Sequence, residues 1–170
     1  MSVGGPPLTL VLGGARSGKS RHAESLITAL PPPWIYVATG QALDDEMTAR
    51  IAEHRARRDP RWRTIEAPRD IPGAIEGADG AVLVDCLTLW LTNLMLAGAD
   101  PASETERLGQ ALRRARYPVV LVANEVGLGI VPDNALARRF RDAAGRLNQA
   151  IAARANRVVL LVAGIPMQVK

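Results

Sequence analysis

The chain has 170 residues, 48% hydrophobic and 22% charged, which is enough to bury a core and excludes a disordered polar chain. The formal net charge is +4, and residues 50–63 carry all of that excess, six arginines against Glu53 and Asp59. A lone cysteine, Cys86, excludes an internal disulfide, and no apolar run approaches the roughly 20 residues that cross a bilayer.

The opening MSVGGPPLTLVLGG has neither the basic start nor the long apolar run of a secretory leader. With the single cysteine, it gives the expectation of a cytoplasmic protein without an integral membrane segment. Thr9 to Leu12 reads as a buried strand, and Arg21 to Leu30 as a helix stopped by Pro31-Pro32-Pro33. WIYVA, Trp34 to Ala38, is a second strand. Asp44 to Arg58 predicts a charged helix with acids in its first turn, ended at Asp59-Pro60. Residues 61–66 predict a short strand, and AVLV, Ala81 to Val84, one covered on both faces. Leu87 to Leu96 predicts an apolar helix, Gly98 to Ser103 a break, and Glu104 to Arg116 a further helix. Tyr117 to Ala123 is the next strand, Ala135 to Ala155 a long amphipathic helix, and Arg157 to Ala163 the final strand. Strands alternate with helices throughout, which predicts a single α/β domain over 1–170 with a mainly parallel sheet and helices on both faces.

GGARSGKS, Gly13 to Ser20, matches G-x-x-x-x-G-K-[ST] in full and lies between a predicted strand and a predicted helix. Gly13, Gly14, Ala15, Arg16, Ser17 and Gly18 would wrap their backbone N–H groups around phosphate oxygens at a helix N-terminus. Lys19 would reach the terminal phosphates, and the Ser20 hydroxyl would bind Mg²⁺. This P-loop implies a nucleoside triphosphate and leaves the reaction open. Asp85, at the end of AVLV, suits a second magnesium ligand, or else an ordinary cap of the next helix. Cys86 reads as a small buried hydrophobe.

The basic stretch RIAEHRARRDPRWR, Arg50 to Arg63, fits a solvated helix face, a nucleic-acid patch, or a site where His54 acts on phosphate. Its single interleaved aromatic, Trp62, argues against base stacking and so against a nucleic acid partner. NEVGLGIVP, Asn124 to Pro132, follows a strand end, where open α/β sheets bind ligands. Its glycines suit a loop over a substrate or a neighbouring subunit, or a plain strand–helix connection.

Four stretches together carry a family resemblance: LVLGGARSGKSRHAESL, YVATGQALDDEMTARIAEHRARRDPRWRTIEAP, LVDCLTLWLTNLM and VANEVGLGIVPDNALARRFRDAAGRLNQAIA. In this order, over nearly the full length, the chain closely resembles the bifunctional adenosylcobinamide kinase / adenosylcobinamide-phosphate guanylyltransferases of cobalamin biosynthesis. The resemblance implies a RecA-like P-loop NTPase domain. It also implies two reactions: phosphorylation of adenosylcobinamide by ATP or GTP, then transfer of GMP from GTP onto adenosylcobinamide phosphate with release of pyrophosphate. The family's GMP–histidine intermediate would fall on His54. Nucleotide contacts would fall on Gly13 to Ser20, on Ala38, Thr39 and Gly40, on Arg55, Ala56, Arg57 and Arg58, on Glu66, and near Asp85. Where the family pattern has serine, this chain has Gly40, which leaves only a backbone contact there. A homo-oligomer, a trimer, is also implied.

The chemistry fits that implication. Neutral imidazole can attack the α-phosphorus of GTP, and arginines stabilise the charge that develops while disfavouring imidazolium. Helical spacing sets Arg50, His54, Arg57 and Arg58 on one face, with Arg55 turned elsewhere. Arg61 and Arg63 read as solvated or interfacial, and His22 as structural or beside the substrate. Two other readings compete: a P-loop small-molecule kinase in which His54 has no covalent role, and a nucleic-acid-dependent NTPase.

Overall fold

The computed structural model describes residues 5–41, 45, 48–49, 52, 56 and 59–170. Its strands are β1 (Leu8–Gly13), β2 (Trp34–Ala38), β3 (Trp62–Glu66), β4 (Ala81–Asp85), β5 (Val119–Asn124), β6 (Arg157–Val162) and β7 (Ile165–Gln168). Its helices are α1 (Lys19–Thr28), α2 (Ile71–Glu76), α3 (Leu87–Leu96), α4 (Pro101–Arg114) and α5 (Ala135–Arg154). The strands form one sheet in the order β3–β2–β4–β5–β1–β6–β7. All pairings are parallel except β6 with β7. The expected helix over 44–58 falls mostly outside the described residues.

The apolar runs become strands because both faces of the sheet are covered. In β5, Val119, Leu121 and Ala123 face one core, and Val120 and Val122 the other. Ala23 and Ile27 of α1 close the second core. The first is closed by Ile71 and Ile75 of α2, Leu87, Trp90, Leu91 and Leu94 of α3, Leu108 of α4, and Leu147 and Ile151 of α5. Burying each such Leu, Ile or Val stabilises the fold by about 1.5–3 kcal/mol before entropy. The apolar LTLWLTNLML run therefore serves the core, with Leu96 alone strongly exposed.

Local capping sets where several helices start. Asp100 accepts from the N–H groups of Ala102 and Ser103, and Pro101 follows as the first helical residue. Helix α4 thus begins three residues earlier than expected, inside the predicted break. Asn134 caps α5 through the Ala137 N–H at 2.7 Å. Two elements were not anticipated. Helix α2 is a six-residue turn capped by Asp70, with Pro72 and Gly73 weakening its helical signal. The strand over 157–163 is not the last: the chain reverses at Ala163 and Gly164, both at positive φ, and β7 pairs back on β6. The described residues contain no helix long and apolar enough to cross a membrane.

Candidate active site at the carboxyl edge of the sheet

Parallel strands β1, β2, β4 and β5 all end on one edge, so their last residues and the loops after them gather there. The loop 13–20 leaves β1 and enters α1 at that edge. A Cβ on Gly13 would run into the Ser17 side chain and come within 3.0 Å of the Leu161 carbonyl oxygen, so only glycine fits. Gly18 has φ of 90° and Arg16 φ of 54°, which wrap the loop tightly. Ser17 is buried and its N–H donates to the Gly14 carbonyl at 3.3 Å. No side chain caps α1 and no acid occupies its first turn. Its first N–H groups have no side-chain partner, and the helix dipole favours an anion there. The Lys19 ammonium folds over the loop and donates to the Gly14 carbonyl at 3.0 Å.

A second brace was not legible beforehand. The Gly164 N–H, in the turn between β6 and β7, donates to the Ser17 carbonyl at 3.0 Å. Its only hint in the sequence is the glycine itself, now seen at φ of 80°.

Asp85 closes β4, two strands from β1 with β5 between them. Its carboxylate accepts from the Tyr36 hydroxyl at 3.1 Å. It does not cap α3, whose N-cap is Cys86 without a side-chain hydrogen bond. Burial pushes the Cys86 thiol up to about 11, with the Asp85 charge adding to the effect, so the thiol is an inert, buried group.

Of the expected contacts at 38–40, Thr39 is fully buried and its side chain is already engaged. Its hydroxyl donates to the Cys86 carbonyl and accepts from the Cys86 N–H, both at 2.8 Å. Asn93 donates to the Thr39 carbonyl and to the Pro68 carbonyl, each at 2.8 Å. Thr39 therefore welds the end of β2 to the end of β4, and its neighbours Ala38 and Gly40 remain partly open. Glu66 is exposed at the end of edge strand β3.

His54, Arg50, Arg55, Arg57 and Arg58 lie outside the described residues; Ala56 is described, helical and exposed. Arg61 and Arg63 are exposed and paired, Arg61 with Asp59 at 2.7 Å and Arg63 with Asp79 at 2.6 Å. The Arg61 guanidinium also lies 4.5 Å from the Trp34 ring centroid. Trp62 packs on Trp34 and Tyr36 and is thereby committed to the fold. His22 sits on α1 with Nε2 buried and unpartnered; burial, then the Arg157 charge, holds its pKa below 6.5. A groove of about 680 Å³ between α4 and α5, lined by Met95, Thr105, Arg139 and Arg146, contains none of the expected site residues.

A phosphate-wrapping loop, a helix N-terminus, a lysine and a strand-end aspartate on one edge of a parallel sheet define a P-loop protein. The solved structures agree on the fold. A prototypical ATPase from the type III secretion system of pathogenic bacteria aligns with TM-score 0.58 and 13% identity, covering 92% of this chain and 51% of that one. The flagellar accessory protein FlaH of Methanocaldococcus jannaschii aligns with TM-score 0.52 and 11% identity, covering 99% and 81%.

Sequence relatives are more particular. The model of the family "cobinamide kinase / cobinamide phosphate guanyltransferase" matches residues 9–169. The bifunctional adenosylcobalamin biosynthesis protein CobP of Pseudomonas aeruginosa is 51% identical, covering 95% of this chain and 96% of its own. The bifunctional adenosylcobalamin biosynthesis protein CobU of Salmonella typhimurium is 47% identical, covering 96% and 99%. The chain belongs to the cobinamide kinase / cobinamide phosphate guanyltransferase family, and it is an enzyme of cobalamin biosynthesis with that family's kinase and nucleotidyltransferase activities.

Proposed function

We propose that one domain and one triphosphate site carry both transfers onto adenosylcobinamide. The observation that supports this most is the loop 13–20 on an uncapped helix N-terminus, with Lys19 arched over it and Asp85 on the same edge. In the first transfer, a hydroxyl of adenosylcobinamide takes the γ-phosphoryl group of ATP or GTP. In the second, the neutral imidazole of His54 attacks the α-phosphorus of GTP and a bond to pyrophosphate breaks. A phosphate oxygen of adenosylcobinamide phosphate then attacks the same phosphorus, releasing the imidazole and giving adenosylcobinamide-GDP. Arg55, Arg57 and Arg58, with the backbone of Ala56, would line the phosphates as charge-assisted donors. Ala38, Gly40 and Glu66 would meet the nucleoside end, with Thr39 contributing only structure.

Mg²⁺ suits the donors on this edge. Ser20 lies in the first turn of α1 and is partly exposed, and the Asp85 carboxylate accepts one hydrogen bond, from Tyr36. Among the described residues, no three of His, Cys, Asp and Glu cluster to hold a metal unaided. That fits an ion carried largely by the phosphates and by water. It would supply charge neutralisation between the phosphates. The triphosphate and corrinoid substrates point to a cytoplasmic enzyme, with a homotrimer as the family's assembly and no nucleic acid partner.

GTP labelled at the α-phosphate tests the reading. We expect an acid-labile covalent GMP adduct on the protein that disappears in His54→Ala, while label from γ-labelled ATP still reaches adenosylcobinamide. Absence of the adduct in the wild type, with γ-label alone transferred, supports the kinase-only alternative.

A further inference from the structure

We infer that Glu125 is the general base of the kinase step, taking the proton from the substrate hydroxyl as it attacks the γ-phosphorus. The inference rests on the loop 13–20 holding the triphosphate. The two transfers make unequal demands. A phosphate monoester, with a second pKa near about 6, is mostly deprotonated at neutral pH and attacks through an unprotonated oxygen. A hydroxyl must shed its proton as its oxygen bonds to phosphorus and the bridging bond to the leaving diphosphate breaks. A base therefore serves the first transfer and not the second.

The strand order ranks the candidates. Among the described residues, three carboxylates stand at or just past the carboxyl ends of strands: Glu66 on β3, Asp85 on β4 and Glu125 after β5. Their strands lie four places, two places and one place from β1. At about 4.8 Å per strand these offsets are roughly 19, 10 and 5 Å. Only Glu125 follows directly on the strand beside β1, and the contact with the start of the loop is direct. Gly13 is in register with Asn124, and the Glu125 N–H donates to the Gly13 carbonyl at 3.1 Å. The His22 Nε2 is buried in the protein and is not presented to a substrate.

The Glu125 side chain is also prepared for the task. Its Oε1 accepts from the Gly127 N–H at 2.7 Å, which orients the carboxylate while leaving lone pairs for a hydroxyl. The residue is half-buried, so a substrate can reach it. The loop that follows offers Leu128, Ile130 and Val131 to solvent, an apolar margin beside the base suited to a large substrate with an alkyl-decorated rim. In the step itself, the hydroxyl proton passes to Glu125, and from there to solvent once the diphosphate has left.

Two assays on the full-length protein separate the transfers. One follows γ-label from ATP into adenosylcobinamide; the other follows α-label from GTP into supplied adenosylcobinamide phosphate. Glu125→Gln is expected to lower kcat of the first about a hundredfold with KM shifted less than about threefold, while the second proceeds within about twofold of wild type. Glu125→Asp, which keeps a carboxylate, should recover part of the loss. The inference is overturned if Glu125→Gln phosphorylates adenosylcobinamide at the wild-type rate. It is overturned equally if both transfers fall together, the mark of a structural residue. Failure of the His54 adduct in wild-type protein would sink the covalent reading of the second transfer and leave the Glu125 result standing.

Discussion

Replacing Thr39 with valine removes one oxygen and keeps the shape of the side chain, so its effect isolates the weld between β2 and β4. The Thr39 hydroxyl is wholly buried and makes two 2.8 Å hydrogen bonds to the backbone of Cys86. The Cys86 carbonyl would keep a second partner, the Trp90 N–H at 3.2 Å. Its N–H would keep none, at a cost of about 1–3 kcal/mol, and the lost bond to the carbonyl adds about 1 kcal/mol. Thr39→Val is therefore expected to lose about 2–4 kcal/mol, a large share of the roughly 5–15 kcal/mol that holds a domain of this size folded. Thr39→Ser keeps the hydroxyl and gives up a buried methyl, for about 1 kcal/mol. Urea unfolding of the three proteins checks this, read from the midpoint at unchanged slope. A valine variant losing less than about 1 kcal/mol, or a serine variant losing as much as valine, refutes the reasoning. Because Asp85 precedes Cys86, both transfers should also slow in the valine variant.

Gly13→Ala sets a methyl against the Ser17 side chain and the Leu161 carbonyl. Overpacking of this kind is expected to cost about 1–3 kcal/mol and to weaken ATP binding, measured by thermal unfolding with and without nucleotide. His22 has its folded pKa held below 6.5, by burial first and by Arg157 second, so the folded state prefers the neutral ring. Its contribution to stability is complete above pH 6.5 and is lost as pH falls through the folded value. Urea midpoints at about pH 7.5 and about pH 5.5 should differ less in His22→Gln than in the wild type.

Much of this architecture was legible in the residues because local signals and burial agreed. Helix α3 begins and ends as predicted, since Leu87 to Leu96 is a mostly apolar run bounded by a strand and by Gly98. Strand β2 matches for the same reason, four of its five residues being buried. Helix α2 escaped notice because Pro72 and Gly73 mask a six-residue turn held by its cap and by packing of Ile71 and Ile75. Strand β7 escaped because Ile165 to Gln168 is short, contains Pro166 and is exposed throughout. It persists only as an edge partner of β6, where a proline is tolerated.

The site divides along the same line. The loop 13–20 is a contiguous pattern, and its chemistry is written in its own residues. Strand order is not, so nothing local reveals that Asn124 pairs with Gly13, or that the turn at Gly164 holds the Ser17 carbonyl. Thr39 shows a further role that local pattern does not carry. It lies in a segment expected to touch nucleotide, yet its side chain is consumed by the backbone of Cys86.

The strand that feeds the loop 13–20 precedes the other strands in the chain, yet both strands that flank it come from far downstream. Its two neighbours in the sheet come from residues beyond 118 and beyond 156, and the turn that steadies its loop comes later still. Pairings this distant in the chain close slowly, after more local contacts have formed. During synthesis, then, the loop 13–20 gains its bracing only after β5, β6 and the turn at Gly164 have emerged, and a nascent fragment ending before β5 lacks all three.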